Sequence, residues 1–348
     1  MKRTVKKNIT VTIFIVVLID TIIGGFLLKS RSFSHLAIWH IIESSKKEDF
    51  YWQPEKAPLY FHFDSYSDRL SIFKNEISPL VKNENDELKI VLTLAKYVID
   101  VSSDNIKTGL SLRWDSPEGI LKQIREGASA NCFYRAVLFS TYLSSLGLKS
   151  RLWALENEKF NATAHSVNEV YIRSLKKWAF IDVMFGFYIT ENGKPLSLLE
   201  LRERLLDGDT KKILAHSLCN GTKGQKEPPG FYSRLVKCVF LRSGNDFVNK
   251  YNAKIRYGVF SGFKRYLDRL PNKIRIGLSY FLGRQDIFMH YIDRYSQSLG
   301  PQAIIAKLLF YFFIFSLLSL GALLAILSSV FLRKTLAINL SRKDTRQR

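Results

Sequence analysis

Three side chains have the types and positions that nucleophilic chemistry at a carbonyl requires: Cys132, His165 and Asp182. Asn131 is a good N-cap, so Cys132 falls on the first residue of a predicted helix running to about Leu146, with Gly147 as a left-handed stop. A sulfur at that point lies at the positive end of the helix dipole, among outward-pointing backbone N–H groups. Both favour the thiolate, the form that attacks a carbonyl carbon. His165 opens a predicted strand over His165–Ile172, and Asp182 closes the next, over 177–183. Folding about the 173–174 junction sets His165 directly opposite Asp182, with Cβ atoms roughly 4.5–5.5 Å apart. A carboxylate there can hold one imidazole nitrogen and aim the other at sulfur, the logic of a catalytic triad. Trp178 and Phe180 alternate onto the same face and shield that hydrogen bond from water.

The neighbouring segments supply the scaffold. Apolar residues at Leu88, Val91, Leu92, Leu94, Ala95, Val98 and Ile99 form one face of a helix over 86–101. Ser116-Pro117-Glu118 opens another helix, with Ser as N-cap and Pro in the first turn. After Gly147, residues 151–155 read as a strand, then the two strands bearing His165 and Asp182 form an antiparallel hairpin. Asn192-Gly193-Lys194-Pro195 is a turn, and 198–206 a short helix. Helices followed by an antiparallel hairpin indicate an α+β fold.

Four blocks in this order resemble a known family. They are Gly127-Ala128-Ser129-Ala130-Asn131-Cys132-Phe133-Tyr134-Arg135-Ala136, Leu146-Gly147-Leu148-Lys149-Ser150-Arg151, His165-Ser166-Val167-Asn168-Glu169-Val170-Tyr171 and Trp178-Ala179-Phe180-Ile181-Asp182. Together they resemble the transglutaminase-like core, a papain-like fold with helices packed on an antiparallel sheet and a Cys–His–Asp triad. The resemblance covers about 85–188, under a third of the chain. It implies Cys132 as nucleophile, His165 as general base and acid, and Asp182 as the orienting carboxylate. The implied activity is attack on a protein or peptide amide with a thioester at Cys132, the acyl group passing to water or to an amine. Two positions depart from the family pattern: Ala130-Asn131 precede Cys132 where Gly-x-Cys is common, and Val167 stands where an aromatic often follows the His. Both lie near the expected acyl path, so substrate specificity does not carry over. The alternative is a non-catalytic binding or scaffold protein of the same fold in envelope or polysaccharide assembly, with assembly partners to match.

Composition narrows the remaining classes. The chain has 348 residues and is 47% hydrophobic and 24% charged, too apolar for a disordered protein. Three Cys, with no CxxC or HxxxH spacing, give no zinc site, and no GxGxxG or Walker loop supports a nucleotide. Neither a metal nor another cofactor is expected. The net charge of +21 comes from 52 Lys and Arg against 31 Asp and Glu, and its distribution argues against nucleic acid. Residues 9–28 form an apolar run broken by Asp20, and 308–332 an uncharged one. Each is long enough for a hydrocarbon core of roughly 30 Å.

Lys2, Arg3, Lys6 and Lys7 precede the first run, while Arg333, Lys334, Arg342, Lys343, Arg346 and Arg348 follow the second. The positive-inside rule then puts both termini in the cytoplasm of a two-pass protein of a bacterial inner membrane, with Cys132 outside. The two tails carry +4 and +5, and Asp20 and Lys307 cancel, leaving +12 of the total +21 between the spans. Such a segment is drawn to anionic lipid headgroups or acidic envelope polymers.

The expected organisation is a basic tail over 1–8, a span over 9–28, an aromatic-rich segment over 29–84 and the core over 85–210. A basic, partly helical extension over 211–302, a span over 308–332 and a basic tail over 333–348 complete it. Two further expectations follow. Cys219 and Cys238 flank a Gly/Pro-rich loop and would pair in an oxidising compartment, leaving Cys132 as the odd thiol. Asp20, inside the first span, would either be neutral or approach Lys307 at the outer end of the second.

Overall fold

A computed structural model describes residues 42–59, 61–63, 68–103, 116–156, 165–219, 229–242, 262–267 and 288–291, with isolated positions elsewhere. Two units are distinguished: 41–266 with 282–300, and 1–40 with 267–281 and 301–348. In the second unit the described residues between 304 and 329 are helical, and Leu308, Tyr311, Phe312, Phe315 and Leu318 are exposed. Among the described residues no helix is long and apolar enough to cross a membrane. Residues 9–28 apart from Leu18 lie outside them, as do about half of 308–332 and both Asp20 and Lys307.

The first unit is α+β. In chain order it contains β1 (Ile42–Ser45), α1 (Asp68–Val81), α2 (Glu87–Ser103), α3 (Pro117–Arg125), α4 (Cys132–Ser145), β2 (Ser150–Glu156), β3 (His165–Ile172) and β4 (Lys177–Asp182). It continues with β5 (Phe187–Glu191), β6 (Lys194–Pro195), α5 (Leu198–Asp207), β7 (Ile213–Ser217), α6 (Pro229–Leu235), β8 (Cys238–Arg242) and β9 (Phe288–Tyr291). The sheet runs β1-β9-β8-β2-β3-β4-β5-β6, with β7 also on β5. Its pairings are antiparallel except β1 with β9.

Local chemistry starts and stops these elements as their sequences require. Ser116 caps α3 by accepting from Gly119 N, with Pro117 in the first turn. Ser197 and Glu200 form a reciprocal capping box on α5, which Gly208 ends at φ 75°. Asn192 and Gly193, at φ 51° and 76°, give the two positive dihedrals of a tight hairpin between β5 and β6.

Helix α4 is buried nearly all round, as a helix apolar on every side must be. On one side of the sheet it packs with α1, α2 and α3 against Leu152, Val170, Ile172, Ala179 and Ile181. The other side carries Trp153, Leu155, Val167, Phe180, Val239, Leu241 and Met289 beneath α5 and α6. Strand alternation thus divides each strand's side chains between two apolar layers.

The structured unit is wider than the 85–210 core read from sequence. Helix α1, from a segment without a recognised period, buries Leu70, Phe73 and Ile77. The extension over 211–302 contributes three strands, of which β8 is buried throughout. The expected Cys219–Cys238 bridge is absent, and all three cysteines are thiols. Cys238 lies on β8 opposite Glu156 of β2, whereas Cys219 follows β7, its sulfur against Gly186 at the start of β5. Four strand spacings separate β8 from β5, about 19 Å at 4.7–4.9 Å each, against the roughly 4.4–6.8 Å between Cα atoms that a disulfide spans.

Candidate active site

Asn131 accepts the Tyr134 N–H at 3.1 Å through its side chain and begins α4 at Cys132. The half-buried thiol therefore stands at the helix start, where first-turn N–H groups find their acceptors outside the helix. His165 is the first residue of β3 and is 4% exposed. As the strand's first residue it sits at the sheet margin, where a side chain of one layer meets a helix terminus of the other.

The hairpin register differs from the sequence expectation. Pairs such as Asn168 with Ile181 and Ile172 with Lys177 place Asp182 beside Val167, so His165 lies diagonal to it, one pleat away on the same face. The cause is the turn: a 3-10 segment, Arg173–Leu175, and a left-handed Lys176 at φ 49° take up more chain than a two-residue turn. The diagonal is still within reach. His165 Nε2 lies 2.6 Å from Asp182 Oδ2.

Asp182 is fully buried and richly solvated by protein. Its Oδ1 accepts the Met184 and Phe185 N–H groups at 2.7 and 2.9 Å, and its Oδ2 also accepts the Tyr232 hydroxyl. Burial pushes its pKa up, but the His165 charge and these donors win and hold it below the usual carboxylate value. Burial likewise opposes a charged His165, yet Asp182 and Cys132 push it up to about 10. Burial raises the Cys132 thiol, while its hydrogen bond to His165, the His165 charge and a backbone hydrogen bond at Ser166 bring it below the ordinary value. With Nε2 held by Asp182, Nδ1 is the nitrogen left for sulfur. A thiolate–imidazolium pair backed by a carboxylate is the state these shifts favour near neutral pH.

Aromatic rings enclose the pair. Phe185 lies 4.8 Å from the His165 ring, and Tyr232 contacts the rings of His165, Phe180 and Phe187. Phe180 shares the Asp182 face as expected, but Trp178 instead packs on Trp52 and Tyr171, away from the hydrogen bond.

Two motif residues hold the layers in register. Asn168, fully buried, donates to Ala136 O at 3.1 Å and Ser140 Oγ at 2.9 Å, tying β3 to α4. Glu169, also fully buried, accepts from Arg151 Nε and Trp153 Nε1 at 2.5 Å each and from Leu198 N at 2.6 Å. Arg151 in turn lies against Trp178, Trp52 and Trp153 and donates to Phe50 O at 2.7 Å.

Two residues at the site had no role assigned from sequence. Tyr232 arrives from α6, fifty positions beyond Asp182. Arg135, 7% exposed, follows Cys132 by one helical turn inside a run that otherwise reads as apolar core. Among the described residues no group of His, Cys, Asp and Glu is arranged to hold a metal ion.

No family model matches the chain, and no curated protein matches it. A solved structure from Cytophaga hutchinsonii, described as a candidate cysteine protease, aligns with a TM-score of 0.28 at 16% identity. The alignment covers 40% of this chain and 45% of that one, a likeness too slight to carry an argument.

Proposed function

We propose that the chain is a membrane-anchored thiol enzyme with a transglutaminase-like, papain-like core, acting on amide bonds of protein or peptide substrates. The observation that supports this reading is the continuous line from Cys132 through His165 to the buried carboxylate of Asp182. In the proposed reaction the Cys132 thiolate adds to the carbonyl carbon, and the carbonyl electron pair moves onto oxygen. First-turn N–H groups at the start of α4 stabilise that oxyanion. Collapse expels the amine, which takes the His165 proton and leaves a thioester; His165 then activates water or an acceptor amine for the second half. Asp182 stays ionised throughout and fixes the imidazole. Basic residues beyond both apolar runs support cytoplasmic termini in a bacterial inner membrane, with the site outside.

The test is the pH profile of iodoacetamide labelling at Cys132, read by peptide mass spectrometry. At pH 6 an ordinary thiol is almost entirely protonated, so Cys132 should label on the order of tenfold faster. That excess shrinks near pH 9, where ordinary thiols ionise, and should vanish in His165→Ala. Acid catalysis by His165 is lost as pH rises through about 10. A wild-type rate no faster than an ordinary thiol and indifferent to His165→Ala refutes the enzyme reading in favour of a scaffold.

A further inference from the structure

We propose that Arg135 is the counter-cation of the Cys132–His165–Asp182 set, a positioning residue that holds Cys132 as thiolate. The inference rests on the thiol-enzyme reading and extends it to a residue outside the triad. Arg135 follows Cys132 by three positions on α4, so the two side chains share one side of the helix. Its Nε donates to Ala130 O at 3.3 Å and its Nη2 to Ser102 O at 3.2 Å. Both acceptors are neutral, and the guanidinium keeps its charge.

A buried cation needs a compensating anion. Buried Arg151 and Arg202 have theirs in direct contact, Arg151 on Glu169 at 2.5 Å and Arg202 on Asp293 at 2.6 Å, while buried Arg242 lies over the Phe133 and Phe247 rings. Among the described residues no carboxylate lies within ion-pair distance of Arg135. Burial lowers its pKa, and the charges of Asp182, Cys219 and Cys132 oppose that effect. A thiolate, an imidazolium and a carboxylate together carry one net negative charge, and Arg135 neutralises it. Charged and titratable groups near the thiol among the described residues come from several elements, including Arg242 of β8 over the Phe133 ring at 5.3 Å and buried Glu156 of β2. The others are His165 from β3, Asp182 from β4, Arg135 from α4, Tyr232 on Asp182 from α6, and Cys219 after β7, which acts on Arg135.

The role differs from a structural one in what it moves. An arginine serving only to bind the Ala130 and Ser102 carbonyls affects melting temperature without moving the ionisation of Cys132. A counter-cation sets how far into acid the thiolate survives. The experiment labels Cys132 with iodoacetamide from pH 5 to 9 in the full-length chain, comparing wild type, Arg135→Gln, Arg135→Lys and His165→Ala. Arg135→Gln should label about tenfold more slowly at pH 6 and match wild type near pH 9. Arg135→Lys, which keeps the cation, should retain most of the wild-type rate at pH 6. If Arg135→Gln does not accumulate, the Lys variant decides: a retained acid-side rate supports the counter-cation, and an ordinary-thiol profile overturns it. Superposed Gln and wild-type profiles overturn it as well. Failure of the underlying reading is a separate outcome, seen in wild type and His165→Ala before any Arg135 variant is compared.

Discussion

Replacing Glu169 with Leu should nearly unfold the domain, and the size of the effect follows from the contacts the carboxylate makes. Its two oxygens take hydrogen bonds from Arg151, Trp153 and the Leu198 backbone, and neither it nor Arg151 is more than 2% exposed. Removing the anion strands the Arg151 charge in the interior, which costs about 3–5 kcal/mol when one partner of a buried pair is deleted. The Trp153 and Leu198 N–H groups lose their acceptor too, at about 1–3 kcal/mol each. A loss of 5 kcal/mol or more is of the order of a whole domain's stability, about 5–15 kcal/mol. With an m-value of about 2–3 kcal/mol/M, the urea midpoint should fall by about 2 M. Urea-dependent proteolysis of the full-length chain in detergent measures it. The companion variant Arg151→Met with Glu169→Leu removes both charges and should be markedly more stable than Glu169→Leu alone. A midpoint shift below about 0.5 M for the single variant, or a double variant no better than the single, would refute the stranded-charge argument.

Two shorter predictions concern the site's framework. Asn131→Ala removes the α4 cap and should cost about 1 kcal/mol in stability, with slower alkylation of Cys132 at pH 6 as the helix start loosens; equal labelling rates would separate the cap from the thiol. Gly186 holds φ 72°, and a Cβ there would meet the Cys219 sulfur, so Gly186→Ala should lower the melting temperature; Cys219→Ala added to it should recover only the steric share, because the backbone strain remains.

What was legible in the sequence was local. Asn131 before Cys132 and Gly147 after the helix are capping signals, and both ends of α4 fall where those residues require. The hairpin strands were legible as alternating runs, but their register was not, since it depends on how many residues the 173–176 turn consumes. Helix α1 carries a readable spacing at Leu70, Phe73 and Ile77, obscured by the aromatic residues before it and by Pro79 within it. The Cys219–Cys238 pairing failed because proximity along the chain says nothing about strand order, and β8 joins the sheet at β2. Tyr232 and Arg135 were missed for a common reason. One reaches Asp182 only through tertiary packing, and the other is a charge whose contacts with Ser102, Asp182 and Cys219 arise only once distant elements pack.

The pairing of β1 with β9 has a consequence for how the protein is made. Ile42 lies beside Phe288, so the β1 edge of the sheet is not in place until Phe288–Tyr291 have been synthesised. Contacts between such distant segments form late, because the long intervening loop must close before they stabilise anything. Cys132 and His165 emerge well before Tyr232, which binds Asp182, and before β8 and β9, which extend the same sheet. A nascent chain therefore passes through an interval in which its thiol exists without the clamp on its carboxylate. Maturation of reactivity should trail synthesis, and chains truncated before Tyr232 should carry an ordinary cysteine at position 132.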